Sequence, residues 1–371
     1  MSQYETATTD DSIRVQKVFT SAYRIPTNTP EADGTLTWNQ TTLVVVEIEA
    51  GGKKGIGYTY ADPSAAFLID HTLKKQLQGK EFFDIPAVTT FLVQQIRNDG
   101  NCGISMMAVS AIDNALWDLK AKILEQPLCN LLGKAKDKIL LYGSGGFTNY
   151  SQEQLQQQFN DWEELGIAYL KMKIGRDPER DVQRIKTARN AIAKNTEIFV
   201  DANGAYTPKQ AIEKAEQFAE YGVTWFEEPV SSENLEGLHF LRQHLPSINI
   251  AAGEYGYSLP YFRQLLCRHA VDVLQADATR CGGISGFLKA GYLAEAFQIP
   301  LSSHCAPTVH LHAALSLPSF YIAEYFFDHV RIESLLFDGV AVPDEGYLKP
   351  DLSRWGLGVE FKHSDAKKFK I

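Results

Sequence analysis

The chain has 371 residues, 44% of them apolar, with a formal net charge of −9 and a pI near 5.5. That length supports a large core and more than one domain, while the acidity argues against nucleic acid or an anionic membrane surface as a partner. No apolar run reaches the roughly 18 residues of a membrane span. The N-terminus, MSQYETATTDDS, lacks a signal-peptide pattern, and five scattered cysteines read as reduced thiols, so the expected location is cytoplasmic.

In chain order, SIRVQKVFTSAYRI and TTLVVVEIEAGGKKGIGYTYA read as β-strands, the latter folded into a hairpin at Gly51-Gly52. AVTTFLVQQIRN and SMMAVSAIDNALWDLKAKIL follow as helices, the second with apolar residues at helical spacing. An α+β domain is therefore expected over 1–135, ending near LLGKAKDKI. From there the pattern becomes strand, helix, strand, helix, which means a parallel sheet with helical crossovers. Ser151 and Gln154 form a capping-box pattern, and Asp177-Pro178 and Thr207-Pro208 each place a capping side chain before a proline at the first helical position.

Short apolar runs in this region end on polar residues at a steady interval. YLKMKIG ends on Lys171 and Lys173, EIFVDAN on Asp201, VTWFEEP on Glu227 and INIAAGE on Glu254. The successive gaps from Lys173 are 28, 26 and 27 residues, about one strand–helix unit of a barrel whose eight units take roughly 250 residues. VDVLQADATR adds Asp277, IPLSSHC adds His304 and FYIAEYF adds Glu324. A barrel is thus expected over 136–330, and the Gly/Pro-rich segment 331–371 is expected to pack back on the first domain.

Residue types at the strand ends suggest chemistry. Three carboxylates on successive strands are hard oxygen ligands suited to one Mg²⁺. Lys171 and Lys173 share a strand face, and their mutual repulsion is expected to lower the pKa of at least one, making a base. Asp277 and His304 can pair as an oriented imidazole. Glu324 is expected to donate a hydrogen bond to a developing enolate if held protonated in a low-polarity site. Asn203 and Arg280 are candidate substrate contacts, Arg280 for a carboxylate. His310 and His312 read as structural, and Cys305 is expected to point away from His304.

KMKIG, DAN, FEEP, GE, DATRCGGISG and SSH, with the Glu324 strand and GLG at 356–358, together resemble the enolase superfamily and, within it, the mandelate racemase subgroup. The resemblance implies a modified (β/α)₇β barrel with an N-terminal α+β capping domain. It also implies Mg²⁺ on Asp201, Glu227 and Glu254, bases at Lys173 and the His304–Asp277 dyad, and an electrophilic acid at Glu324. Expected partners are a small carboxylate substrate and further copies of the chain in a homo-oligomer. GSGGFTNYS and Arg280 look more like acid-sugar dehydratases than like mandelate racemase itself; a racemase or epimerase is the alternative. Tyr23, Arg24, Thr27, Trp38 and Asp62 are expected to line the capping loops. A galactarate- or talarate-like diacid is the first expectation, because its second carboxylate would meet Arg24 or Arg280.

Overall fold

The computed structural model describes residues 13–371. Three antiparallel strands, β1 (Lys17–Ala32), β2 (Thr37–Ala50) and β3 (Lys53–Tyr60), form the first sheet in that order. Their alternate residues divide between two cores. Val18, Ala22, Val44, Val46 and Ile48 face the helices α1 (Ile85–Gln95) and α2 (Ile104–Ile123), while Tyr23, Ile25, Leu43, Val45, Ile56 and Tyr58 join the core shared with the barrel and the C-terminal segment. Burial on both faces explains why LVVV is continuously apolar rather than alternating. Gly57 lets β3 lie directly on α2, since a Cβ there would stand 2.2 Å from the Ala111 carbonyl oxygen.

Eight parallel strands follow: β4 (Ile139–Gly145), β5 (Tyr169–Lys173), β6 (Glu197–Asp201), β7 (Val223–Glu227), β8 (Asn249–Ala252), β9 (Val273–Ala276), β10 (Leu301–Ser303) and β11 (Phe320–Phe326). They pair in sequence order, and β11 closes the cylinder on β4. A helix follows each strand, the last being Phe327–Leu336 directly after β11, in a modified (β/α) barrel. Ser151–Gln154 and Thr207–Gln210 form complete capping boxes, whereas Asp177 makes no capping bond from its side chain. Its φ of −132° and ψ of 84° hold it off the usual N-cap geometry.

Inside the cylinder the two-residue strand period stacks the side chains in layers. Tyr142, Phe199, Trp225, Ala251, Val273 and Ile322 form a separate apolar cluster, with Phe199 and Trp225 stacked at 4.8 Å. One inward step further along the strands come Ser144, Lys171, Asp201, Glu227 and Glu324. The lumen is therefore plugged by aromatic rings beneath a polar mouth.

The cap is fastened to the barrel by polar groups on α2. Ser110 Oγ accepts from the Gly282 amide, Asp113 Oδ1 from Ser285 N and Asn114 Oδ1 from Ile284 N, while Asn114 Nδ2 donates to the Ala278 carbonyl and Trp117 Nε1 to Ser285 Oγ. These bonds fix the turn after β9, which carries Asp277 and Arg280. The tip of the β1–β2 hairpin rests on the mouth itself. A Cβ at Gly34 would stand 2.3 Å from the Ala202 carbonyl oxygen, and Arg176 Nη1 donates to the Leu36 carbonyl at 3.1 Å. At the far end of the chain, Phe361 packs on Tyr23 and the Ile371 amide donates to the Ala22 carbonyl.

Candidate active site

Asp201, Glu227 and Glu254 lie on or just after β6, β7 and β8, all buried, each offering an oxygen within 4.8 Å of the others. Glu254 Oε2 is buried without a hydrogen-bond partner. Lys171 Nζ donates to Glu227 Oε1 at 2.5 Å and stands 2.8 Å from Glu324 and 3.6 Å from Asp201. Lys173 Nζ donates to Asp201 Oδ2 at 2.5 Å, and Trp225 Nε1 to Glu227 Oε2 at 3.1 Å. With Glu228 and Glu324, five buried carboxylates surround two ammonium groups. Burial and this crowding push Glu227 and Glu228 well above the usual carboxylate range. The chamber is short of positive charge, and hard oxygen donors, one of them orphaned, fit a Mg²⁺ ion.

The two lysines behave differently from the sequence expectation of a depressed pKa. Burial acts to lower each, but facing carboxylates outweigh it: Glu227 and Glu324 raise Lys171, and Asp201 raises Lys173. Mutual repulsion, the basis of that expectation, is the smaller influence among the protein groups alone.

His304 stands after β10, with Nδ1 2.8 Å from Asp277 Oδ2. Although burial opposes it, this hydrogen bond holds Asp277 well below the usual carboxylate range. The other ring nitrogen, Nε2, lies 3.4 Å from Glu254 Oε2 and faces the chamber. Lys173 on β5 and His304 after β10 are three strands apart one way around the barrel and five the other, so they flank the triad across the mouth.

Glu324 departs from its expected protonated state. It accepts from Ser144 Oγ at 2.6 Å and from the Cys305 amide at 2.7 Å, and pairs with Lys171. Burial alone would raise its pKa, but Lys171 and the other cations depress it, so the group is ionised. Cys305 departs as well. Its φ of 50° turns the chain back after β10 and brings Sγ to 3.3 Å from His304 Nε2, in the chamber rather than away from it. His310 and His312 are structural: His310 Nε2 accepts from the Ala278 amide and His312 Nδ1 from the Cys129 amide, and burial lowers the pKa of both.

Above these groups lies a cleft of about 690 Å³, floored by Lys173, Glu254, His304 and Glu324 and roofed by the cap, within the range of small-molecule sites. Asn203 lines it. Its backbone is left-handed, at φ 47°, its amide donates to Asp201 Oδ1, and its own Oδ1 is buried and unpartnered. Arg280 also lines it, but is committed to the protein: Nη1 donates to the Glu254 carbonyl at 3.0 Å, and the guanidinium lies 3.6 Å from both the Glu254 and Asp277 carboxylates.

Trp38 and Asp62 line the roof as expected, but Tyr23, Arg24 and Thr27 do not. Tyr23, in register through Leu43 with Tyr60, is buried against Phe361 rather than in the cleft. Arg24 is exposed on β1, one strand out from the lining residue Thr42. The lining also includes Gln40, Tyr60, Tyr255 and His329, which sequence reasoning missed. Trp38, Gln40 and Thr42 alternate just before the apolar run of β2, the one available signal for a polar patch on that strand.

Residues 16–133 match the mandelate racemase/muconate lactonizing enzyme N-terminal domain family, and residues 154–366 the enolase C-terminal domain-like family. The chain is 32% identical to an L-talarate/galactarate dehydratase of Salmonella typhimurium, over 82% of this chain and 79% of that one. It is 30% identical to an arabinonate dehydratase of Saccharolobus solfataricus, over 88% and 90%. Among solved structures, a mandelate racemase/muconate lactonizing enzyme-like protein from Rubrobacter xylanophilus superposes with a TM-score of 0.94 at 48% identity, covering 96% of this chain and all of that one. A racemase from Streptomyces coelicolor with bound magnesium superposes with a TM-score of 0.91 at 28% identity, with the same coverage. The capped barrel, the acidic triad and these matches agree: the chain belongs to the mandelate racemase/muconate lactonizing enzyme family of the enolase superfamily.

Proposed function

We propose that this enzyme dehydrates an acid sugar to a 2-keto-3-deoxy acid. The observation that carries the reading is the placement of Lys173 and the His304–Asp277 dyad on opposite sides of the carboxylate triad. A proton next to a carboxylate is weakly acidic because its removal yields a doubly charged enediolate. Asp201, Glu227 and Glu254 would hold a Mg²⁺ ion, which would supply charge to stabilise such an anion.

The protein supplies the rest. One of Lys173 and His304, in its neutral form, takes the proton from the α-carbon. The electron pair left behind forms the α–β double bond as the β-hydroxyl departs, and the opposite group gives that hydroxyl a proton so that it leaves as water. The enol product then tautomerises to the keto acid. Asp277 fixes the His304 tautomer with Nε2 toward the chamber, and Arg280 positions both Asp277 and Glu254. Lys171, held by Glu227 and ionised Glu324, adds positive charge beside the triad. The aromatic plug beneath and the cap above limit water access.

The relatives named as dehydratases support this reading. The same two opposed bases also suit racemisation or epimerisation of a 2-hydroxy acid, with the proton returned to the opposite face. Incubating the protein with Mg²⁺ and a library of mono- and diacid sugars in D₂O separates the two. Keto-acid formation marks dehydration, whereas α-deuterium incorporation without keto acid marks racemisation. A library that gives neither overturns both.

A further inference from the structure

The cap half of the cleft carries a charge pattern with a direct consequence for the substrate's distal end. Its lining from the cap includes Asp33, Trp38, Gln40, Thr42, Tyr60 and Asp62. Two of these are acids, and among the described residues no lysine or arginine lines the cleft from the cap. The first twelve residues, outside the described structure, contain neither residue type either. The two cations of the lining, Lys173 and Arg280, both belong to the barrel and are already paired, Lys173 with Asp201 and Arg280 with Glu254 and Asp277.

Both roof acids are held in place. Asp33 Oδ1 accepts from the Thr35 and Leu36 amides at 2.6 Å, and Asp62 Oδ1 accepts from the Ser64 amide and hydroxyl. Asp62 is exposed, and hydrogen bonds from Ser64, with a smaller contribution from Arg24, keep it below the usual carboxylate range. Beside them lies a neutral polar ring. His329 stacks on Tyr60 at 3.4 Å between centroids and meets the edge of Phe326; its Nδ1 has no partner, and burial pushes its pKa down to about 3. Gln40 and Thr42 add an amide and a hydroxyl. Neutral donors and acceptors of this kind suit hydroxyl groups, while fixed carboxylates repel another carboxylate across the cleft.

We infer that the substrate is a monocarboxylic polyhydroxy acid, an aldonate, whose uncharged distal end lies under Asp33 and Asp62, and that an aldarate of the same configuration is rejected there. This inference rests on the reading of the chamber as an acid-sugar site, and it reverses the sequence expectation of a diacid. That expectation required Arg24 or Arg280 to meet the second carboxylate; Arg24 lies outside the lining, and Arg280 is engaged at the floor.

The test compares matched pairs, such as D-galactonate with galactarate and D-gluconate with D-glucarate, in two measurements. One is kcat/KM of the wild-type protein with Mg²⁺. The other is calorimetric binding to Lys173→Ala with Mg²⁺, which reports selection without turnover. Aldonates are expected to be favoured at least about tenfold in binding, and Asp62→Lys is expected to shift that ratio toward the aldarate by about tenfold or more. Aldarates that bind as tightly as, or more tightly than, the matched aldonates overturn the inference, as does an unchanged ratio in Asp62→Lys. Preferential aldonate binding without turnover of any acid leaves the charge selection standing and overturns the dehydratase reading instead.

Discussion

Replacing Asn114 with alanine tests how far the cap–barrel fastening governs both stability and the site. Asn114 is fully buried on α2. Its Nδ2 donates to the Ala278 carbonyl at 3.0 Å and its Oδ1 accepts from the Ile284 amide at 2.9 Å. Alanine leaves one buried carbonyl and one buried amide without a partner, each costing about 1–3 kcal/mol, so the expected loss is about 4 kcal/mol. At about 2.1 cal/mol/K per residue, unfolding of 371 residues carries an entropy of about 0.8 kcal/mol/K. The melting temperature should therefore fall by about 5 °C in a single cooperative transition. The same turn carries Asp277 and Arg280, so kcat/KM should fall beyond the stability loss, and the Ile284 amide should exchange faster with deuterium. A melting temperature within about 1 °C of wild type, with Ile284 exchange unchanged, would refute the reasoning.

Three further outcomes are expected. Lys173→Ala and His304→Asn should each abolish net dehydration, while one of them still exchanges the α-proton of a substrate of suitable configuration, followed by NMR in D₂O; near-wild-type turnover in both rules out the two-base scheme. EDTA should remove activity and added Mg²⁺ should restore it, and indifference to chelation sinks the metal assignment. Glu333 is fully buried, accepts from Tyr58 and Thr308, and is pushed by burial from 4.5 up to about 7. Below pH 4.5 the folded and unfolded states both hold its proton; between 4.5 and about 7 only the folded state does, so its stabilising contribution is lost as pH rises through that window. Urea midpoints at pH 5 and pH 8 should accordingly show wild type losing stability relative to Glu333→Gln at the higher pH, and a pH-independent difference contradicts the assignment.

The floor of the site was legible because barrel geometry turns sequence spacing into position. Asp201, Glu227 and Glu254 recur at one repeat length at or just past the ends of apolar strands, and the two-residue period puts Asp201 and Glu227 above Phe199 and Trp225. The roof was much less legible. Which face of β1 and β2 meets the barrel depends on docking between domains, so Tyr23 looked available but is buried under residues from the other end of the chain. Cys305 was misplaced because strand alternation ends at Ser303, and the left-handed backbone that follows resets its direction. Protonation states were least legible of all. Whether Glu324 holds a proton depends on its burial and on Lys171, His304 and Lys173, which stand on or just past other strands of the barrel. The polar residues Ser110, Asp113, Asn114 and Trp117 were read only as part of a helix; that all four bind the turn before and at the start of Gly283–Ala296 was visible only in three dimensions.

The packing of residues 361–371 on β1 bears on how the protein is made. The apolar face of the first sheet, with Tyr23, Ile25, Leu43 and Val45, is completed by groups synthesised after the whole barrel. During translation that face has no cover, and its contacts span more than three hundred residues of intervening chain. Closing such long loops is slow, and an uncovered sheet face invites association with other nascent chains. The cap sheet precedes the barrel in the chain, yet reaches its final packing only once residues 361–371 have been made.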